Sequence, residues 1–132
     1  MSAPLLDANA LIALAFVRHQ HHDAVAAWFS DARRAALCPM TEGALMRYAV
    51  HFGEAAATTV GIIEGLLASP GFEFWPDDLS LSRVDVSHVR GRNQVTDAYL
   101  LGLVRHRDST LVTFDRALAA LDQSRTVLLQ PR

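Results

Sequence analysis

Four acidic residues each lie close to the start of a predicted helix, where they could do chemistry together: Asp7, Glu42, Asp97 and Asp115. Clustered carboxylates repel one another, so such a cluster is costly unless a cation is present. Hard divalent cations such as Mg²⁺ and Mn²⁺ take oxygen ligands of this kind. Two such ions can hold both the attacking and the leaving oxygen of a phosphodiester. If the four acids converge, they predict a metal site suited to phosphodiester cleavage.

The elements that must position these acids alternate between strands and helices along the chain. Short apolar runs closed by proline, aspartate or threonine predict strands, and three-to-four spacing of apolar residues predicts helices. The predicted strands cover residues 4–6, 35–38, 72–75, 110–113 and 126–129. The predicted helices cover residues 8–17, 22–34, 41–52, 54–68, 97–106 and 115–121, and 79–89 is ambiguous. This order predicts an α/β fold with a central parallel sheet of about four to five strands, flanked by helices.

The predicted fold brings the acids towards one edge of the sheet. Asp7 ends the first strand, Glu42 follows the second, Asp115 follows the fourth, and Asp97 opens the helix before the fourth. In an open parallel sheet, residues just past the strands gather where ligands bind. An ordinary structural role is also open, because an acid at a helix start stabilises the helix dipole. Taken singly, Asp7 and Asp115 could be plain helix caps.

Composition limits the classes of protein. The 132 residues, 51% of them hydrophobic, fit one domain spanning residues 1–132. The net charge is −2 and all twelve basic residues are arginine, so any surface for a polyanion must be local. The single Cys38 excludes an intrachain disulfide and suits a reducing cytoplasm. No basic residue precedes Asp7, so we expect no signal peptide, and the apolar run of residues 10–17 is too short for a membrane span.

Four sequence segments carry a family resemblance. They are Leu5–Leu14 (LLDANALIAL), Thr41-Glu42, Gln94–Leu100 (QVTDAYL) and Leu111–Leu118 (LVTFDRAL). In this order they resemble the acidic motifs of PIN-domain ribonucleases of the VapC type, the toxins of bacterial type II toxin–antitoxin systems. The resemblance implies a parallel sheet with flanking helices and a Mg²⁺-dependent endoribonuclease. It also implies inhibition by a cognate antitoxin protein, and a homodimer.

Carried over by position, the resemblance assigns roles to single residues. Asp7, Glu42, Asp97 and Asp115 would be the catalytic, metal-binding carboxylates. Asn9 would orient Asp7 or a metal-bound water. Three threonines would supply supporting hydroxyls or helix caps, and capping is the simpler role for each of them: Thr41, Thr96 and Thr113.

Two surfaces are predicted around this site. Arg90 and Arg92 lead into Asp97, and Arg116 follows Asp115, so these arginines are expected to contact RNA phosphates. An antitoxin helix is expected in an apolar groove between the N-terminal helices. That groove would use residues 10–17, 25–29 and 44–49, although all of these could equally be core.

Other classes of function remain open on the residues alone. The domain could bind RNA or protein without cutting. A phosphoaspartate enzyme using Asp7 would want a second aspartate at position 9, where this chain has Asn9, and a lysine, of which it has none. His19, His21 and His22 could suggest a metal cluster, but a solvated helix start is the expected interpretation.

Overall fold

The computed structural model describes residues 2–131. Five strands form one parallel sheet in the order β3-β2-β1-β4-β5. The strands are β1 (Leu5–Leu6), β2 (Ala35–Leu37), β3 (Phe72–Phe74), β4 (Leu111–Thr113) and β5 (Thr126–Leu128). The predicted α/β class and parallel sheet are confirmed. Strands β2 and β3 lie on one side of β1, and β4 and β5 lie on the other. A crevice therefore opens between the carboxyl ends of β1 and β4.

Six α-helices connect the strands. They are α1 (Ala8–Ala15), α2 (His22–Ala32), α3 (Pro39–His51), α4 (Ala56–Ala68), α5 (Asn93–His106) and α6 (Arg116–Leu121). Short 3₁₀ helices cover Leu81–Arg83, within the segment that the sequence left ambiguous, and Gln123–Arg125. Within residues 2–131, no helix is long and apolar enough to cross a membrane.

Two predicted helix starts are wrong. Thr41 does not cap α3: Cys38 is the N-cap and Pro39 the first helical residue, while the Thr41 hydroxyl accepts a hydrogen bond from Cys38 N at 3.3 Å. Thr96 does not cap α5, because that helix begins at Asn93. The side chain of Gln94 accepts hydrogen bonds from the backbone N–H groups of Arg90 and Gly91, which supports the earlier start.

The core lies on both faces of the sheet. Leu5 and Leu111 pack with α5 on one face, whereas Leu6 and Val112 pack with α1, α2 and α3 on the other. This alternation follows from the two-residue period of a strand. Strands covered on both faces are apolar throughout, as the sequence of β1 illustrates.

The inner faces of the N-terminal helices belong to this core. Leu11, Val25 and Leu45 are fully buried, and Ala49 is nearly so. Much of the apolar surface that the sequence offered as an antitoxin groove is therefore already covered by the protein itself.

Candidate metal centre

Asp7 lies directly after β1, in the crevice between β1 and β4. Its backbone N–H donates to Val112 O at 3.0 Å, and its Oδ1 accepts from Ala10 N at 2.8 Å, so it is the N-cap of α1. Only 6% of the residue is exposed. Burial raises the pKa of Asp7 to about 6, against the lowering effect of hydrogen bonds from Thr113 and Ala10. The charges of Asp97 and Asp115 raise it further.

Asp115 lies after β4 and caps α6. Its Oδ1 accepts from Ala117 N at 2.9 Å and from Leu118 N at 3.1 Å. Its own N–H donates to the hydroxyl oxygen of the buried Thr113 at 2.9 Å. The Thr113 hydroxyl also lowers the pKa of Asp7, so it acts on the residues that follow both central strands.

Asp97 is half-buried, in the second turn of α5. Burial raises the pKa of its carboxyl, the charge of Asp115 raises it again, and His88 lowers it. Asp7, Asp97 and Asp115 therefore feel one another's charge, as the sequence led us to expect of acids at one edge of the sheet.

Glu42 is held differently. It lies in the first turn of α3, after β2, and the pKa of its carboxyl is raised by burial and then by Asp77. Its Oε2 atom is buried and has no hydrogen-bond partner within residues 2–131. The structure thus groups three aspartates together, whereas Glu42 is influenced by Asp77.

The donor set fits a hard divalent cation. All four side chains offer carboxylate oxygens, and the unpartnered Oε2 of Glu42 is a buried acceptor that a cation would satisfy. The ion pairs formed within residues 2–131 join arginines to Glu73, Asp78, Asp108 and Asp122, so none neutralises the four acids. In the same residues, no three His, Cys, Asp or Glu side chains already stand in a coordinating arrangement. Binding would therefore require side chains to turn towards the ion.

The remaining predicted residues are spread around this edge. Asn9 is exposed in the first turn of α1, and Thr96 is half-buried one residue before Asp97. The Thr41 hydroxyl donates to Cys38 O at 3.0 Å, so its hydrogen bonds serve the start of α3.

The predicted arginines differ in how far they are engaged. The Arg90 guanidinium donates to Ser87 O at 2.8 Å and to Val89 O at 3.1 Å, so it is used in its own loop. Arg92 and Arg116 are exposed.

His88 is a residue of the site that sequence reasoning missed. It lines a cavity of about 140 Å³ together with Gln94, Asp97 and Asp115. Its Nε2 atom is buried without a hydrogen-bond partner within residues 2–131. No spacing pattern marks a lone histidine in an irregular segment, and only the approach of that segment to α5 and α6 brings it to the aspartates.

Comparison with known proteins agrees with this fold. The family model of the PIN domain matches residues 5–123. Ribonuclease VapC29 of Mycobacterium tuberculosis is 45% identical over 126 residues, covering 95% of each chain. Ribonuclease VapC38 of the same species is 40% identical over 129 residues, covering 92% of this chain and 91% of the relative.

Two solved structures share the fold. Mycobacterium tuberculosis VapC20, described as a sarcin–ricin loop cleaving toxin, superposes with a TM-score of 0.68 at 14% identity, covering 90% of this chain and 95% of that one. VapBC2 from Rickettsia felis, solved with a DNA fragment from its promoter, gives 0.64 at 11% identity, covering 96% and 98%. The chain belongs to the PIN-domain family. Its similarity to the VapC ribonucleases places it in the VapC-type branch, so the phosphoaspartate alternative is wrong.

Proposed function

We propose that this protein is the endoribonuclease toxin of a toxin–antitoxin pair, and that it hydrolyses RNA phosphodiester bonds with Mg²⁺ or Mn²⁺. The observation that carries the proposal is the group of three aspartates without a cationic partner at the β1–β4 crevice of a PIN-domain chain. Identity of 45% to a relative named as a ribonuclease supports the same activity. The domain is proposed to span residues 1–132 and to work in the cytoplasm.

The residues of this chain would have different roles at the site. Asp7, Glu42, Asp97 and Asp115 would hold the ion, which supplies a water of lowered pKa and positive charge against the phosphate. The Thr113 hydroxyl would support the start of α6, where it accepts a hydrogen bond from Asp115 N. Asn9, exposed in the first turn of α1, would orient Asp7 or a metal-bound water. The threonines Thr41 and Thr96 are assigned to helix structure rather than to chemistry.

RNA binding requires local positive charge, since the chain as a whole carries a net charge of −2. Arg92 and Arg116 are exposed and are our candidates for phosphate contacts. Arg90 is a third candidate, but it would have to break its hydrogen bonds to Ser87 O and Val89 O to reach a phosphate.

The antitoxin is proposed to occupy the groove between α3 and α4. Met46, Val60 and Ile63 line a cavity of about 350 Å³ there, and Glu42 forms part of its wall. An apolar helix in this groove would cover the Glu42 edge of the site, which explains how binding could inhibit. A homodimer is proposed from the family resemblance alone.

The test is RNA cleavage by the purified protein with Mg²⁺, with a chelator, and with Mg²⁺ restored. We expect cleavage only in the first and third conditions. Asp31→Asn is the matched control, because Asp31 is exposed on α2 and its substitution removes the same charge away from the crevice. Cleavage that persists in the chelator would contradict the proposal. So would a loss of cleavage in Asp31→Asn as large as the loss in Asp97→Asn.

A further inference from the structure

A chain of aromatic and imidazole rings runs across the surface, starting at the residue before Asp115. Successive ring centroids lie 4.9, 5.7, 6.4, 4.8 and 4.9 Å apart. We call this set the ring ladder, and its members in order are Phe114, His21, His19, Tyr48, Phe52 and His51. It joins the end of β4, the turn between α1 and α2, and the end of α3.

The turn that carries the histidines is fixed by its own hydrogen bonds. His21 N donates to His19 Nδ1 at 3.0 Å, and His22 Nδ1 lies 2.9 Å from Ala13 O. The expectation of a solvated helix start is therefore only partly right, because these imidazoles are half-buried and His21 stacks on Phe114.

The far end of the ring ladder is open to solvent. Phe52 is 67% exposed and His51 is exposed, whereas Phe114, His21, His19 and Tyr48 are partly buried. An exposed phenylalanine at the end of a helix contributes little to folding. Its position on Tyr48 leaves a large aromatic face available to a partner.

Arg18 and Arg47 supply positive charge beside the ring ladder, whereas burial and the neighbouring histidines lower the pKa of His19, and Asp115 adjoins Phe114. Residues 16–22 and 47–52 contain Arg18, Arg47 and four of the six histidines, and no acid. The ion pairs within residues 2–131 use neither arginine. A Cβ placed on Gly43 would lie 3.4 Å from Arg47 Nη1, so this guanidinium reaches back along α3 to Gly43. In a chain of net charge −2, this is a local surface suited to a polyanion.

We propose that the ring ladder binds single-stranded RNA by stacking with its bases and leads the strand to the carboxylates. Aromatic rings beside positive charge are the usual means of binding unpaired bases without reading a sequence. The inference rests on the proposed function for the identity of the substrate. A protein partner fits the ring ladder less well than the α3–α4 groove, whose lining is apolar and includes Glu42 and Glu64 but no arginine.

The test measures binding separately from cutting. In an Asp97→Asn background with Mg²⁺, a short single-stranded oligoribonucleotide carrying 2-aminopurine reports affinity by anisotropy and stacking by fluorescence quenching. Phe52→Ala should weaken binding by about fivefold or more and reduce quenching, which corresponds to the loss of one base–ring stack. Phe52→Trp should retain both signals, because it keeps an aromatic face.

The matched control is Phe74→Ala. Phe74 is 49% exposed on β3, at an outer edge of the sheet, and its substitution should leave affinity and quenching unchanged. Equal affinities for Phe52→Ala and Phe74→Ala would overturn the proposal. So would an effect of Phe52→Ala on self-association, seen by sedimentation, with RNA affinity intact.

Cleavage assays on protein that retains Asp97 distinguish the ring-ladder proposal from the proposed function. If that protein cuts RNA and Phe52→Ala binds and cuts as well as Phe74→Ala, the ring ladder is wrong while the proposed function stands. If RNA binding depends on Phe52 but no metal-dependent cutting occurs, the ring ladder stands and the proposed activity is wrong.

Discussion

The two sides of the acidic edge are built differently. Asp7 and Asp115 each cap a helix, and the N–H of Asp115 also donates to the Thr113 hydroxyl, so their positions are fixed by the fold. Glu42 has a buried Oε2 without a partner within residues 2–131, and the charge of Asp77 raises the pKa of its carboxyl. The aspartates thus have a structural role besides any chemistry, whereas the buried oxygen of Glu42 has no structural use that explains it. Substitutions on the two sides should therefore have different effects on cleavage and on stability.

The largest expected effect is the loss of cleavage in Asp97→Asn. Removing a ligand should cost more than removing a supporting group, so we expect a loss of at least about a hundredfold. Glu42→Gln should also lose activity, and adding Mg²⁺ in excess should restore more of it than in Asp97→Asn, because Glu42 stands apart from the aspartates. Rates measured over a Mg²⁺ titration check this, and full activity in Asp97→Asn would refute the assignment.

The second effect is on stability without metal. The pKa of Asp7 is raised from 3.8 to about 6, so ionising Asp7 costs the folded state, and stability falls as pH rises through about 6. Above that pH, the ionised Asp7 lowers the free energy of unfolding by roughly 3 kcal/mol, because one pKa unit corresponds to about 1.36 kcal/mol. Asn can still cap α1, so Asp7→Asn should be more stable than the parent at neutral pH in a chelator.

Thermal unfolding at neutral and acidic pH measures this difference. The advantage of Asp7→Asn should shrink below about pH 6, where the parent's Asp7 becomes protonated. A variant that is less stable than the parent at neutral pH in a chelator would mean that the Asp7 charge is stabilised in some other way.

The third effect is on the pH dependence of activity. Burial raises the pKa values of Asp7, Glu42 and Asp97, so protons compete with the ion as pH falls. At sub-saturating Mg²⁺ the rate should fall below about pH 6, and higher Mg²⁺ should move the midpoint to lower pH. A rate that does not change across this range would contradict a carboxylate metal site.

The fourth effect separates two of the buried threonines, Thr113 and Thr41. Thr113→Val leaves the N–H of Asp115 without its acceptor, at a cost of about 1–3 kcal/mol, and should also reduce cleavage. Thr41→Val removes hydrogen bonds to Cys38 and should lower stability while sparing cleavage under folded conditions. Equal losses of cleavage in the two folded variants would mean that Thr113 has no special role at the site.

The smallest effect is expected at the loop before α5. Replacing Arg90 and Arg92 with alanine should reduce the log–log salt dependence of RNA binding by about one unit for each phosphate that the protein no longer neutralises. Because Arg90 is engaged in its own loop, we expect a change nearer one unit than two. An unchanged slope would place the RNA elsewhere, and the ring ladder would then be the principal surface.

The sequence predicted the sheet and the gathering of the aspartates because both depend on local signals. Short apolar runs that end in Asp7 or Thr113 mark the strand ends, and parallel strands share one edge. It failed at the starts of α3 and α5: Cys38 is the N-cap of α3 in place of Thr41, and α5 begins at Asn93, three residues before Thr96.

Features that depend on tertiary contacts between distant segments could not be predicted from the sequence. The approach of His88 to Asp97 depends on the path of an irregular segment. The ring ladder depends on the turn between α1 and α2 meeting α3 and the end of β4, so no single stretch of sequence contains it.

The most direct test of the central claim is Mn²⁺ binding to the protein without RNA, followed by electron paramagnetic resonance. We predict that the parent binds Mn²⁺, that Asp31→Asn binds it equally well, and that Asp97→Asn binds it much more weakly. Mg²⁺ should displace the Mn²⁺. Equal Mn²⁺ binding by the parent and Asp97→Asn would show that the aspartates of the β1–β4 crevice do not form a metal site.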